Sequence, residues 1–267
     1  MIDHLDRLEG TSLHIIREAF SRLKQVGLLW SVGKDSTTLL WLCRKAFYGA
    51  IPFPVIHIDT GRKFPEMYDF RDRLVREWGL QLLVARNERA LAEDVSPERG
   101  HLECCNRLKT EALRQFTEAH PMQGLLLAIR RDEHGIRAKE RVFSPRDDEF
   151  RWNYARQPAE LWSLYGEQAS GERHVRVHPL LHWTELDVWE YVRRERIPVV
   201  SLYFASKGQR FRSIGCAPCC RPVESTAATV DEIVEELRQT KVAERSGRAQ
   251  DKEAEYVMQK LRSLGYM

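Results

Sequence analysis

Gly27-Leu28-Leu29-Trp30-Ser31-Val32-Gly33-Lys34-Asp35-Ser36-Thr37-Thr38-Leu39-Leu40 is the stretch on which the fold turns. Gly27–Trp30 is an apolar run too short for a helix and reads as a buried strand, while Thr38–Phe47 carries helical periodicity. Between them, Ser31-Val32-Gly33-Lys34-Asp35-Ser36 is a polar turn with a glycine at its centre. Glycine lets a backbone approach phosphate oxygens closely, and hydroxyls and N–H groups at a helix N-terminus donate to them. Lys34 adds a compact positive charge. Ser31, Gly33, Asp35 and Ser36 are therefore the candidate phosphate-binding residues. The spacing of a P-loop NTPase, with Gly-Lys-Ser/Thr closing the turn, is absent. An ordinary strand–turn–helix corner is the competing reading.

Working outward, an amphipathic stripe of Leu5, Leu8, Ile16, Ala19, Phe20 and Leu23 predicts a helix before this strand. After it, Pro54–Ile58 predicts a second strand, Glu66–Trp78 a helix, Leu80–Ala85 a third strand, Arg107–Ala119 a helix, and Gly124–Ile129 a fourth strand. This alternation predicts a doubly wound α/β domain, mostly parallel, with helices on both faces of the sheet. Arg130–Gln168 is polar, arginine-rich and aperiodic, and long loops of that kind tend to be functional. Strand character returns at His174–His178. Capping boxes at Thr184 and Thr229 predict two more helices, and a charged helix is expected at Lys252–Leu264. Residues 1–200 are expected to form the catalytic domain, with 201–267 a C-terminal extension.

The 267 residues are 43% hydrophobic and 30% charged, with a formal net charge of +3, so charge gives no case for nucleic-acid binding. No apolar run approaches the length of a membrane span, and the first residues have no signal-peptide pattern, so a cytoplasmic location is the expectation. Self-association is left open.

His57-Ile58-Asp59-Thr60-Gly61 ends the second strand. Ligands of open α/β sheets bind beyond the carboxyl ends of the strands, so Asp59, Thr60 and Gly61 are expected beside Ser31 in the nucleotide site. A capped turn without ligand is the plainer alternative.

Ser-Val-Gly-Lys-Asp-Ser followed by His-Ile-Asp-Thr-Gly-x-x-Phe-Pro-Glu resembles the PP-loop family of sulfate-activating and sulfate-reducing enzymes. Arg130-Arg131-Asp132-Glu133, Arg137-Ala138-Lys139-Glu140-Arg141 and Phe143-Ser144-x-Arg146-Asp147 are similar to the small catalytic subunit of bacterial sulfate adenylyltransferase. So are Pro179-Leu180-x-x-Trp183-Thr184-Glu185 and Arg210-Phe211-Arg212-Ser213-x-Gly215-Cys216, and the likeness runs from Leu8 to Tyr266. The resemblance implies an adenine-nucleotide α-hydrolase-like fold. It also implies the reaction of ATP with sulfate to adenylyl sulfate and pyrophosphate, and a GTPase partner subunit. In such a transfer a sulfate oxygen attacks the α-phosphorus, so two anions must be held together and catalysis is largely positioning and charge stabilisation. Arg130, Arg131, Arg137 and Lys139 are the candidate anion-holding cations, with Lys34 beside the phosphates. Mg²⁺ is expected to bridge phosphate oxygens. A solvated run of charges paired with Asp132, Glu133 and Glu140 is the alternative. Relative to the resemblance, the chain is short between Tyr203 and Arg210.

Five of six cysteines fall in two clusters, Cys104-Cys105 and Cys216-Ala217-Pro218-Cys219-Cys220. Two paired sets can supply a four-thiolate site from Cys104, Cys105, Cys216 and Cys219. The arrangement is similar to the [4Fe–4S] ligation of assimilatory adenylyl-sulfate reductases. A zinc site is less suited to adjacent cysteines, and uncoordinated or redox-active thiols remain a third reading. Cys43, on an apolar helix face, reads as core. The tail Leu261–Met267 carries no thiol, which speaks against reductase chemistry through an attacking cysteine. Three other functions stay open beside sulfate activation. One is a sulfurtransferase that adenylates a tRNA base or a small metabolite, the only reading with a role for tRNA; the others are an adenylyl-sulfate reductase-like enzyme and a non-catalytic ATP-binding subunit.

Overall fold

The computed structural model describes residues 2–133, 137, 140–147, 150–153, 157, 160, 174–240, 242 and 244. Lys139 and the expected helix at Lys252–Leu264 lie outside the described residues. Six strands form one sheet: β1 (Val26–Leu29), β2 (Val55–Ile58), β3 (Leu82–Ala85), β4 (Gly124–Leu126), β5 (Phe143–Arg146) and β6 (His174–Val177). Their order is β3-β2-β1-β4-β6-β5, and every pairing is parallel except that of β5 with β6. Val55–Ile58 and Gly124–Leu126 are buried along their length, as parallel strands covered on both faces must be.

The order fixes where the chain reverses its direction of travel. It moves from β1 to β2 to β3, then returns across β1 to add β4 and β6 on the other side. Right-handed crossovers then place α2 (Lys34–Ala46) and α3 (Pro65–Trp78) on one face, with the return segment on the other. The carboxyl ends of β1 and β4 diverge at this switch point and open a crevice.

The helices follow their sequence signals closely. α1 (His4–Arg22) has a capping box at Asp3 and Asp6 and buries Ile15, Ile16 and Ala19. After the short α4 (Glu88–Ala92) comes α5 (His101–Cys105), which continues through a π-helical stretch, Asn106–Glu111, into α6 (Ala112–Ala119). α7 (Glu185–Glu195) starts at the Thr184–Asp187 capping box, and α8 (Val230–Gln239) at the Thr229–Glu232 box. α8 packs on α7, and its Ile233, Val234 and Leu237 join the same core as Val188 and Trp189. Described residues on both sides of position 200 thus share one hydrophobic core. A two-stranded hairpin, β7 (Gln209–Arg210) with β8 (Val223–Glu224), carries the second cysteine cluster in its connection. No described helix is long and apolar enough to cross a membrane.

Candidate active site

A cleft of about 1010 Å³, open solvent included, lies at the switch point. The ends of β1 and β4 supply its walls: Leu29, Trp30 and Ser31 from one, Leu127, Ala128 and Ile129 from the other. Ile56 and Ile58 of β2 widen the apolar wall, and Ser213-Ile214-Gly215 closes the opposite side. The polar lining comes from Ser31, Asp35, Ser36, Lys63, Lys109, Glu133, Arg137 and Tyr203.

The phosphate turn has the local geometry its sequence requires. Val32 sits at φ 68°, a left-handed conformation that a β-branched residue rarely adopts. Strain of this kind persists only where surrounding structure enforces it, and it gathers at functional sites. Here the turn is held by Ser31 Oγ and Ser36 Oγ at 3.0 Å, and by Ser36 Oγ donating to the Gly33 carbonyl at 3.1 Å. Gly33 is the N-cap of α2, and a Cβ there would stand 3.4 Å from the Tyr203 hydroxyl. That hydroxyl accepts from the Lys34 N–H at 2.8 Å. The helix begins at Lys34, four residues before the sequence periodicity shows it, because its first turn is polar and faces the cleft.

The second motif is placed differently from the expectation. Asp59, Thr60 and Gly61 stand next to the cleft but do not line it. Burial raises the Asp59 carboxyl, but the Tyr68 hydroxyl at 2.7 Å and the Gly61 N–H at 2.8 Å outweigh that and hold it low. Thr60 is fully buried with its Oγ1 3.2 Å from Cys216 Sγ, so it faces the cysteines and not the nucleotide side. Gly61, at φ 64°, lies where a Cβ would meet Leu91 at 2.9 Å. Burial pushes His57 down to about 4, so it is neutral, with Nδ1 2.9 Å from the Trp30 carbonyl.

The three candidate arginines part company. Arg137 lines the cleft, ion-paired to Glu133. Arg130 is fully buried and pairs with Asp35, Asp132 and Glu244. Arg131 turns to His182 at 3.0 Å and to the Glu140 carbonyl at 3.3 Å. Lys34 is likewise buried, 1% exposed, with Asp35 at 3.2 Å, Glu185 at 4.0 Å and Glu244 in contact. Of the candidate cations, then, only Arg137 among the described residues reaches the cleft as placed.

Cys104, Cys105, Cys216 and Cys219 line one small cavity together with Thr60, His101 and Lys109. Two chain segments are pinned to bring them there: Ala217 N–H donates to the Arg62 carbonyl at 2.7 Å, and Lys63 pairs with Cys216 in an isolated bridge. Burial pushes the Cys104 thiol to about 12 and Cys219 to about 11, each raised further by neighbouring cysteines. Among the described residues no group of three or more His, Cys, Asp or Glu side chains is drawn together as a metal site. Cys43 is core, as expected.

Several lining residues have no counterpart in the motifs. Lys63 and Lys109 reach the cleft from α3's approach and the π-helical stretch, Tyr203 from a single turn at Ser201–Tyr203. Ser213 and Gly215 lie in the Arg212–Cys216 stretch, whose pattern was distinctive enough to have flagged them.

Residues 25–222 match the phosphoadenosine phosphosulfate reductase domain family. The chain is 42% identical to sulfate adenylyltransferase subunit 2 of Myxococcus xanthus, over 98% of this chain and 96% of that one. It is 39% identical to the protein of the same name from Ectopseudomonas mendocina, over 99% and 98%. A solved structure of FMN adenylyltransferase from Candida glabrata, with FAD and inorganic pyrophosphate, shares the fold at a TM-score of 0.59 and 18% identity, over 98% and 83% of the chains. Phosphoadenylyl-sulfate reductase from Candida auris does so at 0.56 and 18%, over 80% and 95%. The chain belongs to the phosphoadenosine phosphosulfate reductase domain family, in its sulfate adenylyltransferase subunit 2 branch.

Proposed function

We propose that this chain is the catalytic subunit of a sulfate adenylyltransferase, joining ATP and sulfate to give adenylyl sulfate and pyrophosphate. The near-full-length identity to sulfate adenylyltransferase subunit 2 proteins carries this reading. The cleft is compatible with it. Trp30, Ile56, Ile58 and Leu127 offer an apolar wall for an adenine ring, and the Ser31–Ser36 turn offers donors to the phosphates. Arg137 and Lys109 line the same cleft and can supply the positive charge that the attacking sulfate needs. Mg²⁺ would neutralise the phosphate oxygens during transfer. A GTPase partner subunit belongs to the same proposal, since the relatives are named as subunits. The test is to mix the purified chain, alone and with its partner subunit, with ATP, Mg²⁺ and sulfate. Sulfate-dependent pyrophosphate release is expected, and release indifferent to sulfate would end this reading in favour of a thiolation acceptor.

The four gathered cysteines support a [4Fe–4S] cluster as part of the proposal. Iron binding would have to draw the protons from these thiols, which burial and one another hold high. A cluster that takes one thiolate on each of four irons also asks for a wider set than a single ion does. Its chemistry in this chain would be structural or electrostatic, since the proposed transfer needs no electron. Anaerobically purified protein is expected to be brown with about four irons per chain. Cys104→Ser and Cys216→Ser should each bleach it, whereas Cys43→Ser should not. Colourless, iron-free protein with full activity would remove the cluster from the proposal.

A further inference from the structure

Glu244 has no task in the proposed reaction, yet it sits between two buried cations. Its carboxylate contacts both Lys34 Nζ and the Arg130 guanidinium. It is 8% exposed, and these two cations hold it ionised against the cost of burial. The chain nearby is fastened as well: Arg212 donates to the Val242 carbonyl at 2.7 Å while gripping Glu185 at 2.7 Å. Neither Lys34 nor Arg130 lines the cleft in this arrangement. Both nevertheless stand where an oxyanion is to be bound, Lys34 in the phosphate turn and Arg130 just past the end of β4.

A carboxylate bridging a lysine and an arginine presents to them what one edge of a phosphate or sulfate would present, two oxygens sharing negative charge. Charge balance does not demand it. Counted over Lys34, Arg130 and Arg212 against Asp35, Asp132, Glu185 and Glu244, the described residues leave one carboxylate in excess. Burial, and then Glu244 itself, push the Glu185 carboxyl up, as expected of two carboxylates crowded together. Withdrawing Glu244 would bring the set to three cations against three carboxylates and free the side of Lys34 and of Arg130 that it now fills.

We infer that Glu244 is an internal competitor, a carboxylate that fills an oxyanion subsite between Lys34 and Arg130 and must leave before a phosphate or sulfate oxygen enters. The subsite's ligand is a multiply charged tetrahedral oxyanion; only its role in turnover rests on the proposed reaction. While Glu244 is in place the site is closed, and the apparent affinity for the anion falls by the fraction of molecules in which it is open.

Calorimetric titration of wild type and Glu244→Gln with inorganic pyrophosphate, and separately with sulfate, tests this at fixed salt and without turnover. If Glu244 occupies the subsite nine-tenths of the time or more, the variant binds at least one of these anions roughly tenfold tighter or better. Tightening of pyrophosphate alone assigns the subsite to the nucleotide's phosphates. Tightening of sulfate alone assigns it to the acceptor. Unchanged or weaker binding of both anions, in a variant that melts as wild type does, overturns the inference and makes Glu244 a brace for the two cations. Should the amide variant fail to fold, Glu244→Asp keeps the charge but shortens its reach, and the same tightening in smaller measure is expected; its absence is equally fatal. Because binding is read directly, failure of sulfate-dependent pyrophosphate release would leave this result standing, and the reverse holds too.

Discussion

Arg130→Ala is expected to destabilise the folded protein by about 3–5 kcal/mol, because it removes one partner from a buried charge network and leaves its carboxylates uncompensated. The guanidinium is 0% exposed and joins Asp35, Asp132 and Glu244, of which Glu244 is buried almost as deeply. A neutral methyl in its place leaves Glu244 and Asp35 to share Lys34. In a chain of this size such a loss corresponds to a fall in Tm of about 6–20 °C. Arg130→Lys recovers part of it, since an ammonium keeps the charge but cannot fork between three carboxylates. Urea unfolding of both variants checks the order. A wild-type Cm in Arg130→Ala would mean the network is held by the other cations. Loss of activity in this variant is therefore not evidence of sulfate contact, which separates it from the next case.

Arg137→Ala is expected to cut sulfate-dependent pyrophosphate release by about 10²–10³, the usual cost of about 2–4 kcal/mol for losing one charge-assisted contact to a developing charge. Arg137 is the described arginine of the stretch that lines the cleft, and its Glu133 partner lines it too. Replacing it leaves the nucleotide's apolar wall and the Ser31–Ser36 turn untouched, so ATP affinity by calorimetry should stay within about threefold, since distant contacts add independently. Single-turnover kinetics at saturating ATP separates the two. A variant with wild-type release across a sulfate titration would move the acceptor site away from Arg137.

The sheet was legible because its parallel strands are short apolar runs bounded by glycine and polar turns: Val55–Ile58 falls within the stretch so marked, and Val26–Leu29 is offset from Gly27–Trp30 by one residue. The capping boxes at Thr184 and Thr229 marked the starts of α7 and α8 to the residue, since a hydroxyl and a carboxylate three positions apart satisfy N–H groups that the helix itself leaves open. β5 was not legible. Phe143-Ser144-Pro145-Arg146 is buried on both sides, but its polar members are satisfied by side chains outside the strand, such as Glu140 for Arg146 at 3.1 Å, and that pairing does not follow strand periodicity.

The site was legible in the same uneven way. Ser31, Gly33, Asp35 and Ser36 were marked by a local turn and do face the cleft. The arginines were marked only by being close in sequence, and proximity in the chain could not show that Arg130, Arg131 and Arg137 point in three directions. Glu244 carried no signal, a single acid in a charged stretch whose partners lie 210 and 114 residues away.

β5 ends the sheet, and a sheet's last strand is an open template on which a second chain can pair. Its outward donors are already spent. The Phe143 N–H donates to Glu160 at 2.7 Å, and the next residue of the same parity, Pro145, has no N–H to give. Val142 just before the strand is taken by the same carboxylate at 3.0 Å. An incoming strand would find acceptors without donors, so growth of the sheet by edge-to-edge addition stops here, and a Pro145 replacement by a β-branched residue would reopen a route to aggregation.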